Sequence, residues 1–174
     1  IGTYGLAILA RHLKGRHELP GNRVVSTVMS NLGFRLAMNG MGLEVVETPV
    51  GDRYVLEQMR ATAAGLGGEQ SGHVLFRDHA TGDGLLTGMR LLEVVAATAT
   101  PLKELRRVMV EYPQVLRNVH VRVKERLPEA DPVWEAVRMM EKRLGNEGRV
   151  LVRASGTEPL VRVMVEAREG HEAA

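Results

Sequence analysis

The stretch GLEVVETPVGDRYVLEQMRATAAG (residues 42–65) decides the fold. Its first ten residues, 42–51, form a β-rich run that exits through a glycine. Residues 52–65 switch to helical spacing, with Val55, Leu56 and Met59 on one face. A strand that runs straight into a helix is half of a βαβ unit. The same alternation continues on both sides. Upstream, Leu6, Leu9, Ala10 and Leu13 mark a helix ending near Gly15. RVVSTVMS (23–30) then reads as a strand, and SNLGFRLAMNGMG as a turn and a short helix. Downstream, GGEQSG (67–72) reads as a loop and HVLFRD (73–78) as a third strand. DGLLTGMRLLEVVAAT (83–98) and PLKELRRVMVEY (101–112) read as helices. The order predicts a three-layer-type α/β domain with a mostly parallel sheet over residues 1–111. In such sheets ligands sit at the loops that leave the strand C-termini.

From residue 112 to 174 the pattern changes. VLRNVHVRV (115–123) alternates as a half-exposed strand does. PEADPVWEAVRMMEKRLG (128–145) begins acidic, has Pro132 in its first turn and stops at Gly145, which are helix caps. RVLVRA (149–154) and LVRVMVEA (160–167) are strands joined by a polar loop. A small α+β domain with a mixed or antiparallel sheet is expected, without its final helix.

Composition narrows the function classes. The 174 residues are 44% hydrophobic and 25% charged, with 3% aromatics and a formal charge of +2. So few rings argue against a stacking platform for single-stranded nucleic acid. The basic residues are scattered among nearly as many acids, a poor footprint for nucleic acid or an anionic membrane. The absence of cysteine excludes disulfides and thiolate metal sites. The histidines have no metal-ligand spacing, so no metal is expected in this chain. No apolar run approaches the roughly 20 residues of a membrane span, and a cytoplasmic protein is expected. The chain starts without Met, inside an apolar pattern, as an internal piece of a longer protein would. Apolar surface normally covered by the rest of that protein would favour association, a homodimer included.

Three loops have the composition of a site. In RASGTEPLVR (153–162), Ser155 and Thr157 offer hydroxyls and Gly156 permits a nest of backbone N–H groups. Arg153 at the strand end suits a bidentate phosphate contact. Glu158 can orient an arginine, and Arg162 fits either a phosphate contact or an internal salt bridge. A hairpin turn with surface arginines reads equally well, although residues 154–159 make a long hairpin. In GGEQSGH (67–73), Glu69 and Ser71 alternate so that both project one way, suited to two sugar hydroxyls. His73 follows within reach as a proton carrier. A solvated polar loop explains the same residues. In VGDRYV (50–55), Gly51 and Asp52 stand at a strand-to-helix junction, where Asp52 is expected to be the N-cap. Asp83 in TGDG (81–84) is expected to cap the next helix.

Five segments in order resemble the phosphohexose mutase superfamily: TVMSNLG (27–33), VGDRYVLE (50–57), GGEQSGH (67–73), TGDG (81–84) and GNEGRVLVRASGTEPLVRVMVE (145–166). Gln70 in the third, and Asp-Arg-Tyr after Gly51, resemble its glucosamine-phosphate branch. DHATGDG (78–84) is one residue shorter than the usual family loop. The resemblance covers the third and fourth of four family domains. It implies the substrate-binding half of an enzyme interconverting glucosamine 6-phosphate and glucosamine 1-phosphate, through a phosphoserine and a bisphosphate. Phosphomannose or phosphoglucose chemistry, and a non-catalytic phosphosugar-binding module, are the alternatives. Glu69, Ser71, Gly51 and Asp52 would then serve the sugar. Arg153, Ser155, Gly156, Thr157 and Arg162 would serve the phosphate that is not transferred, with His73 near the reacting groups. The serine and the Mg2+ loop would lie in N-terminal domains that this sequence lacks.

Overall fold

The computed structural model describes residues 2–79 and 81–173. The chain divides into two compact units, Ile1–Glu111 and Tyr112–Ala174. The first contains α1 (Gly2–Gly15), β1 (Arg23–Thr27), α2 (Leu32–Gly40), β2 (Glu44–Thr48), α3 (Asp52–Thr62), β3 (Leu66–Gly68), β4 (Val74–Phe76), α4 (Gly84–Thr98) and α5 (Leu102–Leu105). The sheet order is β2-β1-β3-β4. β1 runs parallel to both β2 and β3, while β4 is antiparallel to β3.

Helices cover both faces of this sheet. On one face, Leu6, Ile8 and Leu9 of α1 pack with Phe34 and Met38 of α2, Val94 of α4 and Val24 of β1. On the other, Val55 and Met59 of α3 pack with Val25 and Leu75. The neighbouring Val24 and Val25 point to opposite faces, and both are 0% exposed. That double burial is why two valines stand side by side in β1 rather than alternating with polar residues.

One strand differs from the expectation. Gly67 and Gly68, read as loop, belong to β3. Two glycines hide a strand because they lack the side chains that strands favour. Here packing requires the first of them. A Cβ on Gly67 would lie 2.6 Å from Met59 Sδ and 2.8 Å from Val55 Cγ1. The Val74–Phe76 strand is thus the second arm of a hairpin, and residues 69–73 are its turn. We predict that Gly67→Ala lowers unfolding free energy by about 1–3 kcal/mol. Urea denaturation checks this, and an unchanged midpoint would show that α3 does not press on β3. The expected helix over 101–112 also shortens, to α5 and a 3-10 turn at Arg106–Val108.

The second unit contains β5 (Gln114–His120), α6 (Asp131–Leu144), β6 (Gly148–Ala154), β7 (Leu160–Ala167) and α7 (Gly170–Ala173), with a 3-10 segment at Lys124–Glu129. Its sheet is antiparallel throughout, in the order β5-β7-β6. Pro132 stands in the first turn of α6, and Gly145 ends it at φ 56. One sheet face presents Val150, Val152, Val163 and Val165 to α6. The other carries Arg149, Leu151 and Arg153 on β6 opposite Glu166, Met164 and Arg162 on β7. β5 is more exposed than its alternation predicts. The short α7 occupies the place where no final helix was expected. Among the described residues, no single helix is long and apolar enough to cross a membrane.

Candidate functional site

The first candidate is the turn that leaves the C-terminal end of β3. The Glu69 N–H donates to the His73 carbonyl at 2.9 Å, and the Gly72 N–H to the Glu69 carbonyl at 3.1 Å. Gly72 takes φ +104, a conformation suited to glycine. The turn gathers three polar side chains. Ser71 Oγ lies 3.4 Å from Glu69 Oε2 and 3.1 Å from His73 Nδ1. The other carboxylate oxygen, Glu69 Oε1, accepts the Gly51 N–H at 2.9 Å. Glu69 is half-buried, while Ser71 and His73 are exposed.

The surrounding backbone leaves the turn little room. A Cβ at Gly2 would fall 2.5–2.7 Å from backbone atoms of Gly72, Gln70 and Glu69. Below the turn, the fully buried Ser26 donates to the Gly68 carbonyl at 3.2 Å and bonds to Ser30. Thr48 Oγ1 donates to the Pro49 carbonyl at 3.0 Å. These hydroxyls end the parallel strands without leaving most of their polar groups unpaired.

The junction at residues 51–52 differs from the expectation. Gly51, at φ 136 and ψ 128, is the N-cap of α3, with no side-chain cap bond. Asp52 is therefore the first helical residue, and its Oδ1 accepts the adjacent Arg53 N–H, at 2.7 Å. The chain enters α3 through a positive φ that glycine adopts readily, so the helix starts one residue too early for Asp52 to cap it. The Gly51 N–H, a candidate ligand donor, is taken by Glu69. Asp83 does cap α4, accepting from the Leu85 and Leu86 N–H groups at 2.8 and 3.0 Å. Within DHATGDG, Ala80 lies outside the described residues.

The second candidate joins β6 to β7. Register places Arg153 directly opposite Arg162. Like charges facing across a ladder destabilise it. Arg162 is partly neutralised by Glu158, whose Oε2 accepts from it at 2.9 Å. Arg153 has no ion-pair partner among the described residues, and the Nε atoms of both arginines are buried and unbonded. Burial, and then the charge of Arg162, hold the Arg153 guanidinium below its ordinary arginine range. The charge of an anion placed there would oppose both effects.

The loop itself is braced from inside. The Ser155 N–H donates to the Leu160 carbonyl at 2.9 Å, and Ser155 Oγ accepts the Glu158 N–H at 3.3 Å. Ser155 is 2% exposed, so this hydroxyl oxygen is turned to an internal partner rather than outward. Gly156 and Thr157 are exposed, and their N–H groups have no partner among the described residues. Lys124, which sequence reasoning passed over, donates to three loop carbonyls: Ser155 at 2.7 Å, Gly156 at 3.2 Å and Glu158 at 3.1 Å. Thirty residues of intervening chain gave no signal of that contact. Among the described residues, no group of three or more His, Asp or Glu is placed to hold a metal ion.

A three-layer α/β unit with a polar hairpin turn, followed by an antiparallel unit with an arginine-flanked loop, defines a recognisable pairing. Residues 2–112 match the family model of the phosphoglucomutase/phosphomannomutase alpha/beta/alpha domain III, and residues 116–174 match that of its C-terminal domain. The chain belongs to this family of phosphohexomutases. It is 49% identical over 168 residues to a phosphoglucosamine mutase of Desulforudis audaxviator, covering 96% of this chain and 37% of the relative. It is 59% identical over 167 residues to that of Frankia alni, covering 95% and 37%. Among solved structures, an N-acetylglucosamine-phosphate mutase in its substrate complex superposes with a TM-score of 0.83 at 20% identity, covering 99% of this chain and 41% of that one. The Aspergillus fumigatus N-acetylphosphoglucosamine mutase, solved with GlcNAc-6P and magnesium, gives 0.78 at 20% identity, covering 99% and 43%. These likenesses place the fold. The chain thus spans well under half the length of these relatives.

Proposed function

We propose that this chain is the substrate-binding half of a phosphoglucosamine mutase, which interconverts glucosamine 6-phosphate and glucosamine 1-phosphate. The observation that carries the reading is Arg153 facing Arg162 beside two unpaired loop N–H groups. A dianionic phosphate supplies the missing counter-charge and accepts from Gly156 and Thr157. Thr157 adds a hydroxyl. Ser155 keeps the loop in shape, and Arg162 divides its charge between the anion and Glu158. Such a site grips a phosphate by charge and direction alone, so it holds either end of a bisphosphate equally.

Glu69 and Ser71 take the sugar hydroxyls, with Glu69 fixed in place by the Gly51 N–H. Gly51 contributes through that bond, and Asp52 borders the sugar site from the first turn of α3. His73 is hydrogen-bonded to Ser71 and stands ready to carry a proton to or from a sugar oxygen. In the whole enzyme a phosphoserine would give its phosphoryl group to the sugar, forming the bisphosphate. After the bisphosphate turns, its other phosphoryl group returns to the serine. Transfer of this kind depends mainly on positioning and charge stabilisation. The serine, and the Mg2+ that offsets charge when bound, belong to domains outside this chain. Those domains and the phosphosugar are its partners, in a cytoplasmic enzyme. The exposed Leu85, Met89 and Leu92 on α4 favour association with those domains or with a second copy.

Calorimetry with glucosamine 6-phosphate, glucose 6-phosphate and mannose 6-phosphate tests the reading. Glucosamine 6-phosphate is expected to bind tightest. Glu69→Ala is expected to weaken it about 10-fold, the worth of one charge-assisted hydrogen bond, while leaving inorganic phosphate unchanged. Equal binding of all three sugars, insensitive to Glu69→Ala, would remove the turn from sugar recognition. Preference for mannose or glucose phosphate would move the protein to the other family branches.

A further inference from the structure

We propose that Lys124 is a positioning residue that sets the polarity of the 155–158 loop, so that its N–H groups face an anion. The inference rests on the phosphate reading of this loop and concerns a residue to which that reading gives no role. Lys124 begins the 3-10 segment after β5, about thirty residues before the loop in sequence, and is half-buried against it. Its ammonium carries three N–H donors. The structure gives it three acceptors, all backbone carbonyls, at 2.7 Å, 3.2 Å and 3.1 Å. No carboxylate pairs with it among the described residues. A cation surrounded by carbonyls of one loop is fully engaged and is not itself free to bind a ligand.

Peptide geometry turns this contact into a function. Every peptide bond among the described residues is trans. In a trans peptide the carbonyl of one residue and the N–H of the next lie in one plane and point in opposite directions. Holding the Ser155 carbonyl toward Lys124 therefore sends the Gly156 N–H the other way. Holding the Gly156 carbonyl does the same for the Thr157 N–H. Those are the two loop N–H groups without a partner. The third carbonyl, Glu158, precedes Pro159, which has no N–H to direct. Lys124 thus fixes the two peptide units that have a donor to offer, and uses the third as an anchor. The loop sequence alone is compatible with these peptides flipped, because Gly156 tolerates either orientation. A flipped loop would present carbonyl oxygens to the phosphate and repel it.

The chain contains no cysteine, so Lys124→Cys introduces a single thiol that can be modified selectively. The test measures inorganic phosphate affinity by calorimetry for the 174-residue chain, for Lys124→Cys, and for that variant carrying either an aminoethyl or a trimethylammonium-ethyl group. The aminoethyl adduct restores charge and N–H donors, while the trimethylammonium adduct restores charge alone. Urea midpoints for all four forms separate loop orientation from loss of fold. We expect the cysteine variant to bind phosphate about 10-fold more weakly, as loss of charge-assisted contacts implies. Recovery is expected with the aminoethyl group only. Unchanged affinity in the cysteine variant would overturn the inference, as would equal recovery with the trimethylammonium group, which would reduce Lys124 to a diffuse charge. No phosphate binding by the unmodified chain would overturn the phosphate reading itself, and this inference with it.

Discussion

Arg153→Met is expected to weaken phosphate binding by roughly 10- to 100-fold while stabilising the unliganded second unit by up to about 1 kcal/mol. The opposite signs are the point of the prediction. Arg153 faces Arg162 across β6 and β7, has no ion pair among the described residues, and keeps a buried Nε atom without a partner. Burial comes first, and the neighbouring guanidinium second, in disfavouring its charge. Methionine of similar length removes both penalties and also removes the bidentate donor. Stability is measured by urea denaturation in phosphate-free buffer, and affinity by calorimetry. A structural arginine would lose stability on the same substitution with no change in phosphate affinity. Sites shaped for a ligand often carry such a stability cost.

Glu166→Gln is expected to destabilise the second unit by about 3–5 kcal/mol. Glu166 lies on the same face of the same two strands, at 0% exposure, and pairs with Arg149, whose side chain is 13% exposed. Removing the charge takes from the partly buried Arg149 guanidinium the carboxylate with which it pairs. The double variant Arg149→Met with Glu166→Leu should recover most of the loss, because a buried ion pair is worth little more than well-packed apolar residues. A loss under about 1 kcal/mol for Glu166→Gln would mean that water reaches the pair. Two rungs of one ladder therefore end differently. Arginine meets glutamate at 149 and 166 and the charge is neutralised. Arginine meets arginine at 153 and 162, where Glu158 pairs with Arg162 and Arg153 has no ion-pair partner among the described residues.

The parts of this arrangement that follow from local pattern were legible in the sequence. RVLVRA and LVRVMVEA are valine-rich runs of strand length, and they form β6 and β7. Pro132 and Gly145 bracket α6, and Asp83 caps α4, because those residues act through their own backbone neighbours. The 42–65 stretch forms β2 and α3 for the same reason. The missed features depend on contacts distant in sequence. Gly67 looks like loop until α3 is placed over it. Asp52 looks like a cap until Gly51 takes positive φ. Lys124 looks like any surface lysine, because its acceptors are backbone carbonyls, which every residue has. In the site, the turn at 69–73 was legible as a group of polar side chains. Its fastening through the Gly51 N–H and the Gly68 carbonyl was not, since neither bond is a property of residue type.

The most direct test is an amide-resolved NMR titration of the 174-residue chain with inorganic phosphate. The account predicts saturable shifts of the Gly156 and Thr157 amides, the two loop donors without partners, and their loss in Arg153→Met. Absence of those shifts at millimolar phosphate, or shifts spread evenly over the basic residues, would contradict it.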